Sequence, residues 1–279
     1  MPIGSLDVIN NFPYQDIRDY YAKWYRPDLQ GIMIVGDINV DEMEAKLKKV
    51  FADVKAPVHP ANRIYYPVAD NQEPLIFIGT DKEIETPSIS FFFKSEAFPD
   101  SLKNTINYYG IQYMLSMGIS MLNSRLAEIR QQADPPFTGA SAGYGDFFVA
   151  KTKSAFGIDA SSKIGGIELA MKTILEEAER ARRFGFTETE YDRARANYLQ
   201  RVESAYNERE KMKNDTYVNE YISNFLDNEP MPGIEYEYAM MNKLAPNIPV
   251  TAINQVMQQL ITDNNQVVLL AGPEKEGLN

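Results

Sequence analysis

Apolar residues along this chain follow two periods, and one combination of them occurs twice. Residues 17–36 read IRDYYAKWYRPDLQGIMIVG, residues 253–272 read INQVMQQLITDNNQVVLLAG, and the two align without a gap. Tyr20 meets Val256, Tyr21 meets Met257, Trp24 meets Leu260 and Tyr25 meets Ile261; the apolar runs 32–35 and 268–271 then coincide, closed by Gly36 and Gly272. Apolar positions three and four apart predict a helix, and the unbroken apolar run after a polar turn predicts a buried strand. Such a unit normally closes a domain. One copy lies near the start and the other at the end, so the chain reads as the tail of one module followed by a second, nearly complete one.

The rest of the pattern extends this reading. Residues 14–26 predict a helix ended by Pro27, because the residue before proline avoids the helical region. Residues 39–54 predict another, with Val40, Met43, Leu47, Val50 and Phe51 on one stripe. Residues 55–74 hold four prolines and no period, as an interdomain linker would, with a short extended piece at 64–66. Strands are expected at 75–82 and 87–95, the second with Ile89, Phe91 and Phe93 on its buried face. Asp100 or Ser101 is expected to cap a helix running to Arg130. Its interior, 104–124, carries no charge; asparagines, Gln112, Gly110 and Gly118 interrupt it, so burial against a sheet is favoured over a membrane span.

After the break at Asp134, Pro135 and Pro136, small and aromatic residues alternate through 137–162, which predicts two antiparallel strands turning near 150–153. Residues 164–184 predict a helix capped by Gly185, and the Thr187/Glu190 capping box opens the helix 188–211. Further helices are expected at 215–226 and 234–244 before the closing helix and strand. Strand pairs and helix runs are segregated, so the fold class is α+β, with helices packed on one face of a mostly antiparallel sheet. The expected division is 1–57 for the tail of a preceding module, 58–74 for the linker and 75–279 for the second module.

Composition narrows the chemistry. A net charge of −11 argues against nucleic acid, whose phosphates need a basic surface. The chain has no cysteine and one histidine, His59, which removes thiolate zinc sites, cysteine nucleophiles and any mechanism needing two histidines. His59 has no ligand-spaced Asp or Glu and reads as an exposed loop residue. The opening residues MPIGSLDVINN lack the basic flank and apolar core of a signal peptide. The run Gly139, Gly143, Gly145 leads into a strand pattern rather than a helix, so it reads as a strand with close-packed neighbours and not as a phosphate cradle. There is no G-x-S-x-G elbow. Glu176/Glu177 and Glu188/Glu190 read as solvated helix faces. Arg125 and Arg130 end the long helix, where cations favour the dipole; a contact with an anion or peptide carboxylate is the alternative.

The stretches PIGSLDVINNF and YQDIRDYYAKWYRPDLQGIMIVGDINVDEMEAKLKKVFADV resemble the end of the catalytic module of insulinase/pitrilysin-type zinc peptidases. LNSRLAEIRQQ and FGFTETEYDRARANYLQ are similar to two helix motifs of that family's modules, and the resemblance is strongest to a long bacterial member with several modules on one chain. It implies a LuxS-like α/β sandwich in each module. It also implies zinc held in the parent protein by an inverted H-x-x-E-H helix and a downstream glutamate, with none bound by this segment. The expected partners are the other modules of the same polypeptide and a peptide substrate, with self-association through the truncated first module. The family's substrate-holding arginine falls on Arg130, and the tyrosine seven residues on falls on Phe137. These two are the substrate-contact candidates; a phenyl ring lacks the phenol hydrogen bond, so the module reads as chamber wall and support. The alternative is a degenerate binding or assembly module. No compartment follows from the sequence.

Overall fold

The computed structural model describes residues 4–274. The first three residues and those after Glu274, and with them the outer ends of the expected 1–57 and 75–279 divisions, lie outside the described residues. The chain forms two compact units: one comprises Met1–Ile64 and Lys211–Met231, the other Tyr65–Glu210 and Pro232–Asn279.

The first unit contains helices α1 (Leu6–Asn11), α2 (Tyr14–Trp24) and α3 (Val40–Val50). Asn39 caps α3 by accepting from the Glu42 N–H at 3.1 Å. The expected strand at 31–36 is not formed. A strand exists by pairing, and among the described residues none pairs with this segment, so Ile32 and Ile34 are exposed. The segment 31–36 instead runs close to a helix from much later in the chain: a Cβ on Gly31 would lie 3.2 Å from the Phe225 ring. Among the described residues of this unit only Arg26 is buried, its guanidinium donating to the Ala61 carbonyl at 2.5 Å.

The second unit holds strands β1 (Leu75–Asp81) and β2 (Ser88–Glu96), helices α4 (Asp100–Lys103) and α5 (Ile106–Arg130), strands β3 (Gly139–Asp146) and β4 (Lys153–Ser161), then α6 (Ile167–Phe184) and α7 (Glu188–Asn207). Helix α8 (Asn214–Asp227) belongs to the first unit; α9 (Ile234–Leu244), α10 (Val250–Leu260) and β5 (Gln266–Pro273) return to the second. The long helix does not begin at Asp100. It is interrupted at Asn104, and Thr105 caps α5 by accepting from the Tyr108 N–H at 3.2 Å.

The sheet order is β1-β5-β2-β4-β3. Three pairings are antiparallel, as the segregated pattern predicts; β1 and β5 run parallel, which requires the long intervening connection between them. Register puts Ile89 opposite Ala160, Phe91 opposite Ile158 and Val268, and Phe93 opposite Phe156. These residues are all buried and form the sheet's helix-facing side. Against them pack Met117, Met121 and Leu126 of α5, Ile253 and Met257 of α10, and Ala170, Ile174, Ala178 and Ala181 of α6. The alanine-rich stripe of α6 lets its backbone approach the sheet closely. A large core side chain contributes about 1.5–3 kcal/mol when buried. Where α5 crosses α10, a Cβ on Gly118 would sit 2.5 Å from Met257 Sδ, so glycine is what the crossing requires.

Residues 66–71 are strapped across one end of this sheet. Thr152 donates to the Tyr66 carbonyl at 3.1 Å, Lys94 Nζ to the Ala69 carbonyl at 2.6 Å and Lys153 Nζ to Asp70 at 2.8 Å. Lys153 also pairs with Glu96. Asn71 exchanges bonds with Asn265, which turns the chain into β5 at φ +58. Burial pulls the Lys94 ammonium below its ordinary range, and the nearby Asp70 carboxylate opposes this. The bonds to Asp70 and Glu96 raise Lys153.

Candidate functional site

A groove of about 690 Å³ lies between α5 and β3. Its α5 side is built by Gln112, Leu115, Ser116, Ile119, Ser120, Asn123, Ser124 and Ala127, and its β3 side by Gly143 and Tyr144. The α5 positions recur every three or four residues, which puts them on one side of the helix. The opposite side carries Tyr113, Met117, Met121 and Leu126 into the core. The uncharged run in the sequence is therefore two-faced: large apolar residues on the core stripe, and serines and amides interleaved with Leu115 and Ile119 on the groove stripe. The expected burial against a sheet describes the core stripe and says nothing of the second face. The recurrence of Gln112, Ser116, Ser120 and Ser124 was the signal that could have found it.

Strand β3 ends the sheet order, so its outer edge carries backbone N–H and C=O groups with no strand beside them among the described residues. Which residues point outward follows from register. Phe147 N–H donates to the Lys153 carbonyl at 2.9 Å, and alternate residues of an antiparallel strand bond to alternate sides. Residues 141, 143 and 145 therefore face β4, while Ala140, Ala142, Tyr144 and Asp146 face outward. At Ala142 the edge is occupied by a side chain: Ala142 N–H donates to Asn123 Oδ1 at 2.7 Å, and Asn123 Nδ2 donates to the Ala142 carbonyl at 3.0 Å. The glycine-rich stretch is a strand, as expected. Cβ atoms at Gly139, Gly143 and Gly145 would meet open space, however, so these glycines leave the edge and groove bare and pack close to nothing.

The other candidates fall as follows. Arg125 is buried; its guanidinium grips Glu190 through Nε at 2.6 Å and Nη2 at 3.0 Å, donates to the Gly185 carbonyl at 2.9 Å, and lies 4.5 Å from the Phe186 ring. It joins α5 to the start of α7 and is not available to an anion from outside. Glu190 completes the expected capping box at Thr187. Burial alone would raise the Glu190 carboxyl; the bonds from Arg125 and Thr187 outweigh it and hold the group down at about 2. Glu176 pairs with Lys172 on the exposed face of α6, as expected, whereas the Glu177 side chain is mostly covered and pairs with Arg180; Glu188 is exposed and Glu190 is held by Arg125, so the members of each acidic pair have separate surroundings. Arg130 is exposed at the last turn of α5. The Phe137 ring is 1% exposed and belongs to the core, so a ligand would reach it only if the core opened. His59 sits in an exposed segment at φ +56.

Among the described residues no three His, Cys, Asp or Glu side chains are grouped so as to hold a metal ion. Zinc, which the family resemblance implies for the parent, does not fit the donors present here, and no chemistry of this chain is routed through it. No helix among the described residues is long and apolar enough to cross a membrane.

The second unit is an α+β sandwich whose sheet is covered by helices on one face, and among the described residues it carries no metal-ligand cluster. Residues 11–198 match the family described as the peptidase M16 inactive domain, and the chain belongs to that family. It is similar to the zinc protease PQQL-like protein of Arabidopsis thaliana, with 27% identity over 275 residues, 98% of this chain and 25% of that protein. It is also similar to the probable zinc protease PqqL of Escherichia coli strain K12, with 23% identity over 260 residues, 93% of this chain and 27% of that protein. The crystal structure of the periplasmic protease PqqL from E. coli shares the fold at a TM-score of 0.81 and 21% identity, over 97% of this chain and 29% of that one. The chain thus spans about a quarter of the length of these curated relatives.

Proposed function

We propose that the chain works as the non-catalytic part of a longer zinc endopeptidase, forming part of the wall of its chamber and offering the α5–β3 groove to an extended peptide. The observation that carries the reading is the open edge of β3, with Tyr144 and Asp146 turned outward beside a groove whose walls are uncharged. A peptide strand laid there gains main-chain hydrogen bonds and places alternate side chains into the groove. Zinc and the water it activates come from other modules of the same polypeptide, and the short coverage of the protease relatives supports this. Residues 1–57, 58–74 and 75–279 are the proposed tail, linker and second module, with the strap at 66–71 tying the end of the linker to the second. Arg130, exposed at the end of α5, is the proposed charged contact for a peptide carboxylate; Phe137 would contribute only from within the core. The compartment proposed is the periplasm, by likeness to the E. coli relative.

Two measurements test the reading. The chain supplied with zinc should not cleave a quenched fluorescent peptide; chelator-sensitive cleavage would overturn the assignment. An uncleaved labelled peptide should bind, and Tyr144→Pro, which removes one outward N–H, should weaken binding about tenfold, the loss of roughly one well-made hydrogen bond. Equal binding by this variant would place the peptide elsewhere.

A further inference from the structure

We propose that Asn123 is a latch on the binding edge of β3, setting how long a peptide strand that edge accepts. The inference rests on the reading of the α5–β3 groove as a peptide site. The Asn123 side-chain amide meets Ala142 as a strand residue would, accepting from its N–H at 2.7 Å and donating to its carbonyl at 3.0 Å. The orientation of the amide is fixed by chemistry, because only its oxygen can face an N–H and only its nitrogen can face a carbonyl. A peptide pairing along β3 would use Ala140, Ala142, Tyr144 and Asp146. With the latch closed, the middle of that run is taken and the continuous edge shrinks to Tyr144 and Asp146. With Asn123 turned away, pairing can run the whole of 140–146.

Release is close to an even exchange. The two bonds at Ala142 are remade by the incoming strand, and the freed amide turns toward water. Asn123 is only half-buried, and its neighbours on the groove stripe, Ser120, Ser124 and Ala127, are small enough to leave it room to rotate. A short segment gains nothing by opening the latch, because it is satisfied at Tyr144 and Asp146. A long segment must open it to pair beyond them. The latch therefore discriminates by the length of extended backbone and not by side-chain identity, as suits a site that accepts unfolded chains of varied sequence.

The test uses the whole chain and fluorescent, lysine-flanked peptides of alternating threonine and valine. One has about four residues in its core and the other about eight, spanning ~13 and ~26 Å at the strand rise of about 3.3 Å. A third is the long peptide with alternate backbone nitrogens methylated. Asn123→Ala should bind the long peptide about tenfold more tightly than the wild type and the short one equally, with the methylated peptide failing on both proteins. Equal long-peptide binding by Asn123→Ala and wild type, with methylation still abolishing it, overturns the latch and leaves the groove reading standing. Binding by no peptide overturns both. In wild type, the Asn123 side-chain NH2 signal should shift when the long peptide is titrated by NMR; a signal that stays put while the peptide binds overturns the latch without relying on a variant. Asn123→Ser, whose hydroxyl is too short to meet both groups of Ala142, should repeat the alanine result.

Discussion

Two buried side-chain assemblies join α5 to α7, and both are made by residues far apart in sequence. Tyr191 has one hydroxyl proton, aimed at the Ile248 carbonyl at 2.8 Å and the Ala245 carbonyl at 3.2 Å, so Tyr113, 3.0 Å away, donates to it. Burial, then that bond, keeps the Tyr113 phenol well above its ordinary range. Tyr191→Phe should cost about 1–3 kcal/mol in urea unfolding, because it strands two carbonyls and a hydroxyl; Tyr113→Phe strands only one acceptor and should cost less. Reversal of that order would refute the donor assignment. The Arg125–Glu190 pair predicts a pH dependence. Glu190 is lowered from 4.5 to about 2 in the folded state, so its contribution is present in full above pH 4.5 and is lost as pH falls toward 2. Its size is on the order of 3 kcal/mol. Glu190→Gln should flatten the wild-type fall in urea midpoint between pH 5 and pH 3; parallel profiles would count against the pair. The capping box was legible because Thr187 and Glu190 lie within one turn. The role of Arg125 was not, because its partner lies outside any local window and a helix-end arginine looks the same whether it faces water or a buried carboxylate.

At the scale of elements, most boundaries were legible and most partners were not. Alternation gave β2 its buried face at Ile89, Phe91 and Phe93, and turn chemistry placed β3 and β4. The segment at 31–36 has the same apolar grammar as β5 yet forms no strand, since pattern records what a segment can bury and not whether a neighbour is there to pair with it. The start of α5 was misplaced because Asp100, Ser101 and Thr105 are all competent caps; the cap at Thr105 belongs to α5, whereas Asp100 and Ser101 lie within the short α4, whose N-cap position is Pro99 and has no side-chain cap. The α5–α10 crossing depends on Gly118. Gly118→Ala should gain up to about 1 kcal/mol in helix propensity and lose about 1–3 kcal/mol to overpacking against Met257, a net destabilisation. Combining it with Met257→Ala should recover part of that loss beyond additivity; strict additivity in the double-mutant cycle would show that the two do not meet.

The whole molecule carries more bare apolar surface than its charge would lead one to expect. In the first unit Ile17, Tyr20, Tyr21 and Tyr25 of the α2 region are exposed, and in the second Leu75, Ile76, Phe77 and Ile78 of the edge strand β1 are more than half exposed. Large exposed apolar patches mark interaction surfaces. A net charge of −11 holds copies apart at low salt, where the screening length is about 30 Å at 0.01 M; at 0.15 M it is about 8 Å. Sedimentation should therefore show association that grows with added salt, and a mass that stays monomeric at high protein and salt would mean that these faces do not bind each other. The charge and the amphipathic stripes were legible in the sequence. The parallel β1–β5 pair and the allegiance of α8 to the first unit were not, because an apolar stripe does not name what it packs against.

That allegiance sets a schedule for synthesis. The first unit is assembled from Met1–Ile64 and Lys211–Met231, so on the ribosome its early part must wait for everything between them. At about 5–20 residues per second the delay is on the order of 10–30 s. Throughout it, the tyrosine-rich stripe of α2 and the unpaired 31–36 segment are out on the nascent chain while the second unit is still incomplete. The segment up to Ile64 stays unfinished until Met231 has been made, and that interval is where a holding chaperone would act on this stretch.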